Sequence, residues 1–563
     1  MNRWKPLVPL GIAQFLMVLD TAVMNVSISQ LTEDFHTEVT TIQAVITLYA
    51  LVMASLMITG GKLGDIWGRR KAFAIGLSVY AVGSAVTSVA PTVFVLTLGW
   101  SIIEGAGAAL VLPALAALVG ANYAGKERAM AYGIIGGLSG AGIAVGPLLG
   151  GWVTTYLTWR LVFAGEVVFV IVVLLTTKWI KDAERPATRP QLDVVGSVLS
   201  ASALAMIVLG VLQSSSWGWI RPKNSPITVF GFSLTMFLIA AGLTTLSIFR
   251  SWEARRERRG ETPLIRWRLF DIPVVRSGLS TLTAQNVILL GMFFVIPLYL
   301  QIVQGFNAFE TGLRLLPVSV TMLIASMAGS ALTRRFNART LVRAGLLVVF
   351  AAAIWLVSTV QPKIDDLSFA GAMATLGVGM GLLASQLGNV LQSSVGDEDR
   401  SEVGGLQYTA QNLGSSLGTA LIGSILIGAL AAAISFQVAN NPAVSDAVKN
   451  QVGVQLEAGV SFVPAAEVEE SLTASGMSAA EVSALTDSYS KAQLNGLKAA
   501  LLAAAGIALA SLVSTRNLPT QPLSGEGSEP APTATAAEGL PPEDEAERAR
   551  REKQAVLPST SGT

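Results

Sequence analysis

Long apolar segments, separated by short polar connections, dominate the chain. Fourteen of them reach the length of about 20 mostly apolar residues that a membrane-crossing helix needs. They lie near 7–30, 44–63, 72–90, 94–120, 130–154, 161–180, 194–213, 226–249, 277–303, 311–333, 341–360, 366–394, 403–433 and 495–515. The pattern predicts an all-α membrane protein with fourteen transmembrane helices.

Basic residues gather in alternate connections between these spans. They include Arg3 and Lys5 ahead of the first span, the connection at 61–71, and eight arginines from Arg250 to Arg276. Because lysine and arginine accumulate on the cytoplasmic side, this asymmetry predicts that both termini are cytoplasmic. The first apolar run lacks a convincing small-residue cleavage site, so we expect an uncleaved first span in the cell (inner or plasma) membrane.

The composition agrees with a membrane protein and limits its chemistry. Charged residues make up 13% of the chain, against about 25% in soluble domains. There is no cysteine, and His36 is the single histidine, which excludes disulfides, thiolate chemistry and multi-histidine metal sites. The chain also lacks paired histidines, a G-x-S-x-G elbow and a phosphate loop. We therefore expect no enzyme activity, no cofactor, no metal and no nucleic-acid partner.

Two pairs of stretches match at almost the same spacing. Residues 60–77 can be laid over 329–346, and Gly142 and Gly146 over Gly414 and Gly418. This indicates two six-helix pseudo-repeat bundles plus two inserted helices, although chance similarity between apolar helices could also produce it. The predicted regions are an N-terminal bundle at 1–190, inserted helices at 191–260, a C-terminal bundle at 261–516 with an external loop at 436–493, and a disordered cytoplasmic tail at 517–563.

The connection after the second span reads GKLGDIWGRRK. It resembles the loop signature of the major facilitator superfamily, G-x-L-x-D-x-x-G-R-[RK]. The matching residues are Gly61, Leu63, Asp65, Gly68, Arg69 and Arg70. The resemblance implies a conformational loop that holds one of two access states, with Asp65 pairing with arginines or capping a neighbouring helix.

Span 5 carries five residues that match a second pattern, G-x-x-x-G-P-x-x-G-G. They are Gly142, Gly146, Pro147, Gly150 and Gly151. Glycines four residues apart form a smooth groove for close helix packing, and the proline bends the helix. The pattern resembles the antiporter motif of the superfamily's fourteen-helix drug:proton antiporter branch, which implies export. A generic small-residue packing helix is the alternative.

Span 1 contains an acid, Asp20, inside an apolar run that also holds Asn25. The run resembles the first-helix pattern of the same branch, L-D-x-T-[IV]-[VM]-N-V-A-[LI]-P, but has Ser27 and Ser29 in place of the final alanine and proline. An ionised carboxylate at membrane depth costs about 2.5–3.5 kcal/mol, so such an acid can exchange a proton. A structural hydrogen bond between helices is the alternative.

Span 4 departs from the branch pattern R-x-x-Q-G-x-G-A. Ser101 stands in place of the arginine, and Glu104 in place of the glutamine. The resemblance implies a part in proton transfer for the arginine. That role therefore cannot be assigned to Ser101. Glu104 instead adds a second acid at membrane depth, either as a proton carrier or as a neutral hydrogen-bond donor.

A third acid, Glu166, lies near the outer end of span 6. Trp159, Arg160 and Phe163 match the branch pattern W-R-W-x-F-x-[IV]-N-x-P, in which Glu166 replaces the asparagine. Either Glu166 pairs with Arg160, or it is a third titratable group on the path that protons take from outside.

Polar residues on spans 1, 12 and 13 are candidates for lining a central substrate cavity. They are Asn25, Gln386, Asn389, Gln407, Tyr408 and Gln411. Gln407 and Gln411 share a helix face at a period of 3.6 residues. Polar contacts that hold helices together explain the same residues equally well.

These features predict a proton-coupled secondary transporter that exports small amphipathic compounds, of the multidrug efflux type, with Asp20, Glu104 and Glu166 in proton coupling. The expected partners are a small-molecule substrate, protons and the lipid bilayer. The sequence leaves the oligomeric state open and is compatible with a monomer. An exporter of an endogenous metabolite, lipid or siderophore is one alternative, and a non-transporting membrane sensor is another of a different class.

Overall fold

The computed structural model describes residues 3–37, 39–182, 191–222, 225–333, 335–396, 399–441, 444, 462–475 and 477–520. Within this part, 14 helices are long and apolar enough to cross a membrane, as the hydropathy pattern predicts. In chain order they are α1 Leu7–Val26, α2 Val39–Trp67, α3 Arg69–Ser88, α4 Val93–Asn122, α5 Gly125–Tyr156, α6 Arg160–Thr176, α7 Val194–Trp217, α8 Leu234–Arg258, α9 Pro273–Leu298, α10 Ala308–Leu332, α11 Ala338–Thr359, α12 Asp366–Ser393, α13 Arg400–Ala439 and α14 Ala479–Ala510.

Shorter elements fill the connections. They are the helices Ile28–Asp34, Arg268–Asp271 and Ala465–Ala474, the 3-10 turns Thr177–Trp179 and Val513–Asn517, a π-helical end of α9 at Tyr299–Val303, and two strands, β1 Thr228–Val229 and β2 Phe232–Ser233. The strands form a small antiparallel hairpin between α7 and α8.

Side chains cap several of the helices at their first turn. α10 begins with a capping box in which Asn307 and Glu310 bond each other's backbone N–H groups. Ser478 and Glu481 do the same for α14. These caps satisfy donors that a helix start otherwise leaves unpaired, and they define where the chain enters each helix.

The short connection that the sequence predicts at 61–71 is shorter still in the structure. α2 stays helical through Trp67, and α3 begins at Arg69, so Gly68 alone joins them. Gly68 has φ +94° and ψ 137°. Only glycine adopts this backbone conformation without a large conformational energy. Helical structure continues to Trp67 in α2 and begins again at Arg69 in α3, so a single residue is left to form the turn.

The first six and last six helices repeat one packing arrangement. In the first group α1 packs on α5, α2 on α4, α3 on α4 and α3 on α6. Eight helices later, α9 packs on α13, α10 on α12, α11 on α12 and α11 on α14. The chain therefore forms two pseudo-repeat bundles with two inserted helices, while the residue boundaries 190, 260 and 516 stay predictions.

The two bundles meet along two lines of helix contact related by the same pseudo-symmetry, one on α5 and one on α13. α5 packs on α10, and α2 packs on α13. The inserted helices α7 and α8 pack on each other, and α7 also lies against α2 and α13. The inserted pair therefore covers one of the two lines along which the bundles touch.

Both helices that flank the predicted external loop at 436–493 continue into it. α13 extends to Ala439, and α14 begins at Ala479, about four turns before the predicted start of the last span at 495. The early turns of α14 carry polar residues, but a buried stripe that includes Val482, Leu485 and Tyr489 holds them in a helix. Residues 445–461 of this loop, and 521–563 of the predicted tail, lie outside the described residues.

Candidate functional site

Three buried acids from three helices meet within the N-terminal bundle. Asp20 comes from α1, Glu104 from α4 and Glu166 from α6, and each offers a carboxylate oxygen within 4.8 Å of the other two. Their exposed fractions are 0%, 0% and 2%. The sequence singled out each acid alone, whereas only helix packing brings the three together.

Glycines allow α3 and α4 to approach closely beside this cluster. A Cβ at Gly83 would lie 2.6 Å from the backbone nitrogen of Glu104, and one at Gly107 would lie 2.6 Å from that of Tyr80. Only glycine permits such an approach of two helix backbones. It brings the polar side chains of α3 next to the acids.

Each acid has a different set of hydrogen-bond donors. Tyr80 and Ser84 of α3 donate their hydroxyls to one oxygen of Glu166, at 3.2 and 3.1 Å. The indole Nε1–H of Trp100 donates to both oxygens of Asp20, at 2.9 and 3.1 Å. Among the described residues, neither oxygen of Glu104 has a hydrogen-bond partner.

The segment of α4 that carries Trp100 and Glu104 is a π-helix, Thr97–Glu104. π-helical turns inside α-helices are rare and often occur at functional sites. Ser101 lies in the same segment and donates to the carbonyl of Val45, at 2.8 Å. The residue in place of the branch arginine therefore bonds α2 and not the acids.

Arg160 does not pair with Glu166, so that alternative for Glu166 is wrong. Its guanidinium instead binds Asp34 at 2.7 Å and lies over the ring of Trp159. Trp159 also donates to Asp34, at 2.8 Å. The start of α6 points Arg160 toward the short helix after α1, whereas Glu166, nearly two turns further on, faces the bundle interior.

In the described part of the chain, none of the three acids forms an ion pair with a lysine or arginine. Buried charges are normally paired or bound to a cation, because an isolated one is costly to desolvate. A fully buried group of three carboxylates without a basic partner can therefore take up either protons or a cation. The expectation that the chain holds no metal stays untested.

The glycines predicted on α5 face α1. Cβ atoms at Gly142 and Gly150 would lie 3.0 Å from Val18 and 3.2 Å from Val23, and one at Gly146 would overlap Ala22. Gly151 is buried as well. These contacts hold α1, and with it Asp20, closely against α5, while the side chains of Pro147 and Asn25 lie outside the described residues.

The remaining candidate cavity residues lie buried or partly buried between helices. Gln386 donates to the Gly329 carbonyl of α10, at 3.2 Å. Tyr408 donates to Gln14 of α1, at 2.8 Å, and so joins the two bundles. Asn389 and Gln407 are buried, and Gln411 is partly buried. A role for these residues in substrate binding stays a prediction.

The turn between α2 and α3 neighbours an ion pair that joins the two bundles. Asp65 at the end of α2 pairs with Arg69 at the start of α3, at 3.6 Å, as expected for an acid beside arginines. Lys62 pairs with Glu402 of α13 at 3.0 Å, and both side chains are 1% exposed. Glu402 also accepts from the backbone N–H of Arg266. Of this signature, Gly61 and Gly68 are buried and Arg70 is exposed.

Sequence reasoning missed Trp100, Lys62, Gln14 and Glu402. A tryptophan in an apolar run looks like a core residue, and Lys62 occupies a variable position of the signature. A lysine at the apolar end of span 2 and a glutamate at the start of span 13 were the available signals for the ion pair.

Comparisons with known proteins agree with this architecture. The sequence model of the family described as Major Facilitator Superfamily matches residues 10–199 and 192–419. The tetracenomycin C resistance and export protein of Streptomyces glaucescens is 28% identical over 428 residues, which cover 75% of this chain and 76% of that protein. The cephamycin export protein of Amycolatopsis lactamdurans is 31% identical over 415 residues, 73% of this chain and 82% of that one.

A solved structure shares the fold. The crystal structure of the human organic anion transporter MFSD10 (TETRAN) aligns with a TM-score of 0.56 at 13% identity, over 91% of this chain and 99% of that one. Together with the fourteen apolar helices, these matches make the protein a multi-pass protein of the cell membrane. The chain belongs to the Major Facilitator Superfamily, as the signature at 61–70 indicated.

Proposed function

We propose that this protein is a proton-coupled secondary transporter that exports small amphipathic compounds from the cytoplasm. The names of the two sequence relatives support export, since both are described as export proteins and one also as a resistance protein. The main support for proton coupling is the buried cluster of Asp20, Glu104 and Glu166, which has no basic partner among the described residues.

Repulsion between the three acids supports a role in proton exchange. Two full charges 4.8 Å apart repel by about 3.5 kcal/mol at an effective dielectric constant of about 20. Three charges at this spacing, with no cation between them, repel pairwise and also lose their hydration. The cluster therefore relaxes by taking up protons, and a substrate or conformation that changes its surroundings changes how many it holds.

Contacts at one end of the molecule support an alternating-access cycle. Lys62 and Glu402 tie α2 to α13 at the end where the signature lies, and Gly405 of α13 packs on the Met57 carbonyl of α2. Gly404 packs on the Pro113 carbonyl of α4 in the same way. This end is closed between the bundles, and the charge asymmetry of the sequence assigns it, with both termini, to the cytoplasm.

In the proposed cycle, protons from outside neutralise the acid cluster and weaken binding of the exported compound. The bundles then rock, the protons leave to the cytoplasm, and the restored charge resets the site. Moving one charge through a membrane potential of about 100 mV supplies about 2.3 kcal/mol, so one or two protons sustain a useful gradient.

Transport in inverted vesicles tests this proposal. A screen of amphipathic compounds in cells with and without the protein first selects a transported fluorescent probe. We expect Asp20→Asn and Glu104→Gln each to abolish uptake of that probe driven by an imposed pH gradient. Asp34→Asn is the matched control, because it removes a carboxylate that pairs with Arg160 outside the cluster, and it should retain uptake.

Four outcomes would count against the proposal as stated. Unchanged uptake in both acid variants would show that the acid cluster takes no part in proton coupling. Uptake that follows a sodium gradient and not a pH gradient would assign the three carboxylates to a metal cation, for which their spacing is also suitable. A screen in which no compound responds and no proton moves would favour a non-transporting sensor, whereas a response limited to metabolites, lipids or siderophores would identify an endogenous substrate.

A further inference from the structure

Trp100 donates a hydrogen bond to Asp20 and contacts both of its carboxylate oxygens. The two N···O distances are 2.9 and 3.1 Å, so one N–H is shared between two acceptors. An indole N–H can only donate a hydrogen bond. A donor of this kind stabilises the carboxylate and offers nothing to a proton bound on the same acid.

The indole is held in this orientation from its other side. Tyr49 of α2 stacks on the Trp100 ring with centroids 4.4 Å apart and an angle of 4° between the planes. Trp100 is 0% exposed and Tyr49 is 1% exposed, so neither ring has space to turn into solvent. Stacked aromatic pairs of this geometry add stability beyond the area that they bury.

The other two acids lack such a donor. Glu166 accepts from the hydroxyls of Tyr80 and Ser84, and a hydroxyl can also accept a hydrogen bond from a protonated acid. Glu104 has no hydrogen-bond partner in the described part of the chain. α5, which packs on α1 along this stretch, brings Gly146 and Gly150 against it and thus no charge. The three acids therefore differ in how well their surroundings tolerate a negative charge.

We propose that Trp100 is a positioning residue of the acid cluster: its indole N–H, aligned by Tyr49, makes Asp20 the acid that keeps the negative charge and directs protons first to Glu104 and Glu166. This inference rests on the proposed function in assigning protons to the cluster. It adds an order of protonation and a residue that sets it.

Infrared difference spectroscopy of the purified protein during a pH titration tests the inference without any transported compound. The C=O stretch of a protonated carboxyl reports each acid, and the part of the signal missing in Asp20→Asn belongs to Asp20. In Trp100→Phe, the pH at which half of Asp20 is protonated should move upward by about one to two pH units, because a hydrogen bond to the charged form is lost.

Trp159→Phe is the matched control. It removes an indole N–H from another carboxylate, Asp34, outside the cluster, and should leave the Asp20 midpoint unchanged. If Trp100→Phe does not fold, Tyr49→Leu replaces it and is compared with Tyr49→Phe. Both changes remove the Tyr49 hydroxyl, which also interacts with Asp20, but only Tyr49→Leu removes the aligning ring while keeping the indole N–H. Tyr49→Leu should therefore shift the midpoint further upward than Tyr49→Phe does.

An Asp20 midpoint that does not move in a folded Trp100→Phe or Tyr49→Leu protein would overturn the inference. So would a downward shift. A shifted midpoint in a protein that carries no protons across vesicles would uphold the role of Trp100 and refute the proposed function, whereas normal proton-driven export with an unshifted midpoint would refute the role of Trp100 alone.

Discussion

At the scale of single residues, the environment of a side chain decides its role more than its type does. Asp20 lies inside α1 and Asp65 near the end of α2, yet the first meets an indole N–H within an acidic cluster and the second an arginine across the turn at Gly68. The same distinction separates Trp100 from Trp159, since both donate to an aspartate but only Trp100 does so next to two further acids.

Gly68 offers a test of a single backbone conformation. Gly68→Ala should lower the free energy of unfolding by about 1–3 kcal/mol, because φ +94° with ψ 137° is strained for a residue with a Cβ. The measurement is the midpoint of thermal unfolding in detergent. Gly165→Ala is the control, because a Cβ at Gly165 meets nothing within 4 Å. Equal midpoints for the two variants would contradict the strain argument.

At the scale of helices, glycines determine how closely the polar segments approach. α1 lies on the glycine stripe of α5, and α3 meets α4 through Gly83 and Gly107. These two contacts position three of the four helices whose side chains form or bond the acid cluster. The motif on α5 therefore has a structural consequence at the cluster, in addition to whatever role it has in export.

The α1–α5 contact can be tested by adding one methyl group. Gly146→Ala should separate the two helices, because the new Cβ would overlap that of Ala22. Overpacking of this kind costs about 1–3 kcal/mol, and displacement of α1 should also change the infrared signal of Asp20. Ala22→Gly in the same chain makes room for the added methyl and should recover stability. No recovery in the double variant would show that the steric explanation is wrong.

At the scale of the whole molecule, pseudo-symmetric helix contacts, a buried ion pair and the Tyr408–Gln14 hydrogen bond connect the bundles. α7 lies against α2 and α13, and the segment that follows α8 reaches the ion pair through the backbone of Arg266. The inserted helices therefore adjoin the contact that must open if the signature end is to give access to the cytoplasm.

We expect the removal of one partner of this ion pair to have a larger effect than the removal of the other. Glu402→Gln leaves the buried Lys62 ammonium without a charged partner, whereas Lys62→Met leaves Glu402 beside the guanidinium of Arg266, at 3.6 Å. Breaking a buried pair costs about 3–5 kcal/mol when a charge is left uncompensated. We therefore expect Glu402→Gln to open the signature end more than Lys62→Met does, and the double variant to open it less than Glu402→Gln alone.

Cysteine labelling measures this opening, and the chain has no cysteine of its own. A single cysteine at the buried Met57 should react with a membrane-impermeant maleimide at least about tenfold faster in Glu402→Gln, given the cost above. Arg3→Ala is the control, because its ion pair with Glu127 is exposed and exposed pairs contribute little. Equal labelling rates in Glu402→Gln and Arg3→Ala would show that the ion pair does not control the opening of this end.

Much of this architecture could be predicted before any coordinates were known. Fourteen spans, the superfamily signature and the glycine stripe depend on local composition and spacing, which a single sequence displays. Asp20 and Glu104 stood out for the same reason, because a charge inside an apolar run is expensive. The sequence places the first turns of α14 in the external loop, because a helix that is partly exposed carries polar residues.

The sequence by itself determined which segments are helical, how many can cross a membrane and which buried positions carry acids, since these properties depend on neighbours along the chain. Only the tertiary structure decided that Glu166 joins Asp20 and Glu104, that Trp100 bonds Asp20, and that Lys62 meets Glu402 from 340 residues away. Those contacts depend on which faces of distant helices pack together, and in a membrane many apolar faces are nearly equivalent partners for one another. The choice among them rests on small residues and a few polar groups whose partners no local pattern reveals.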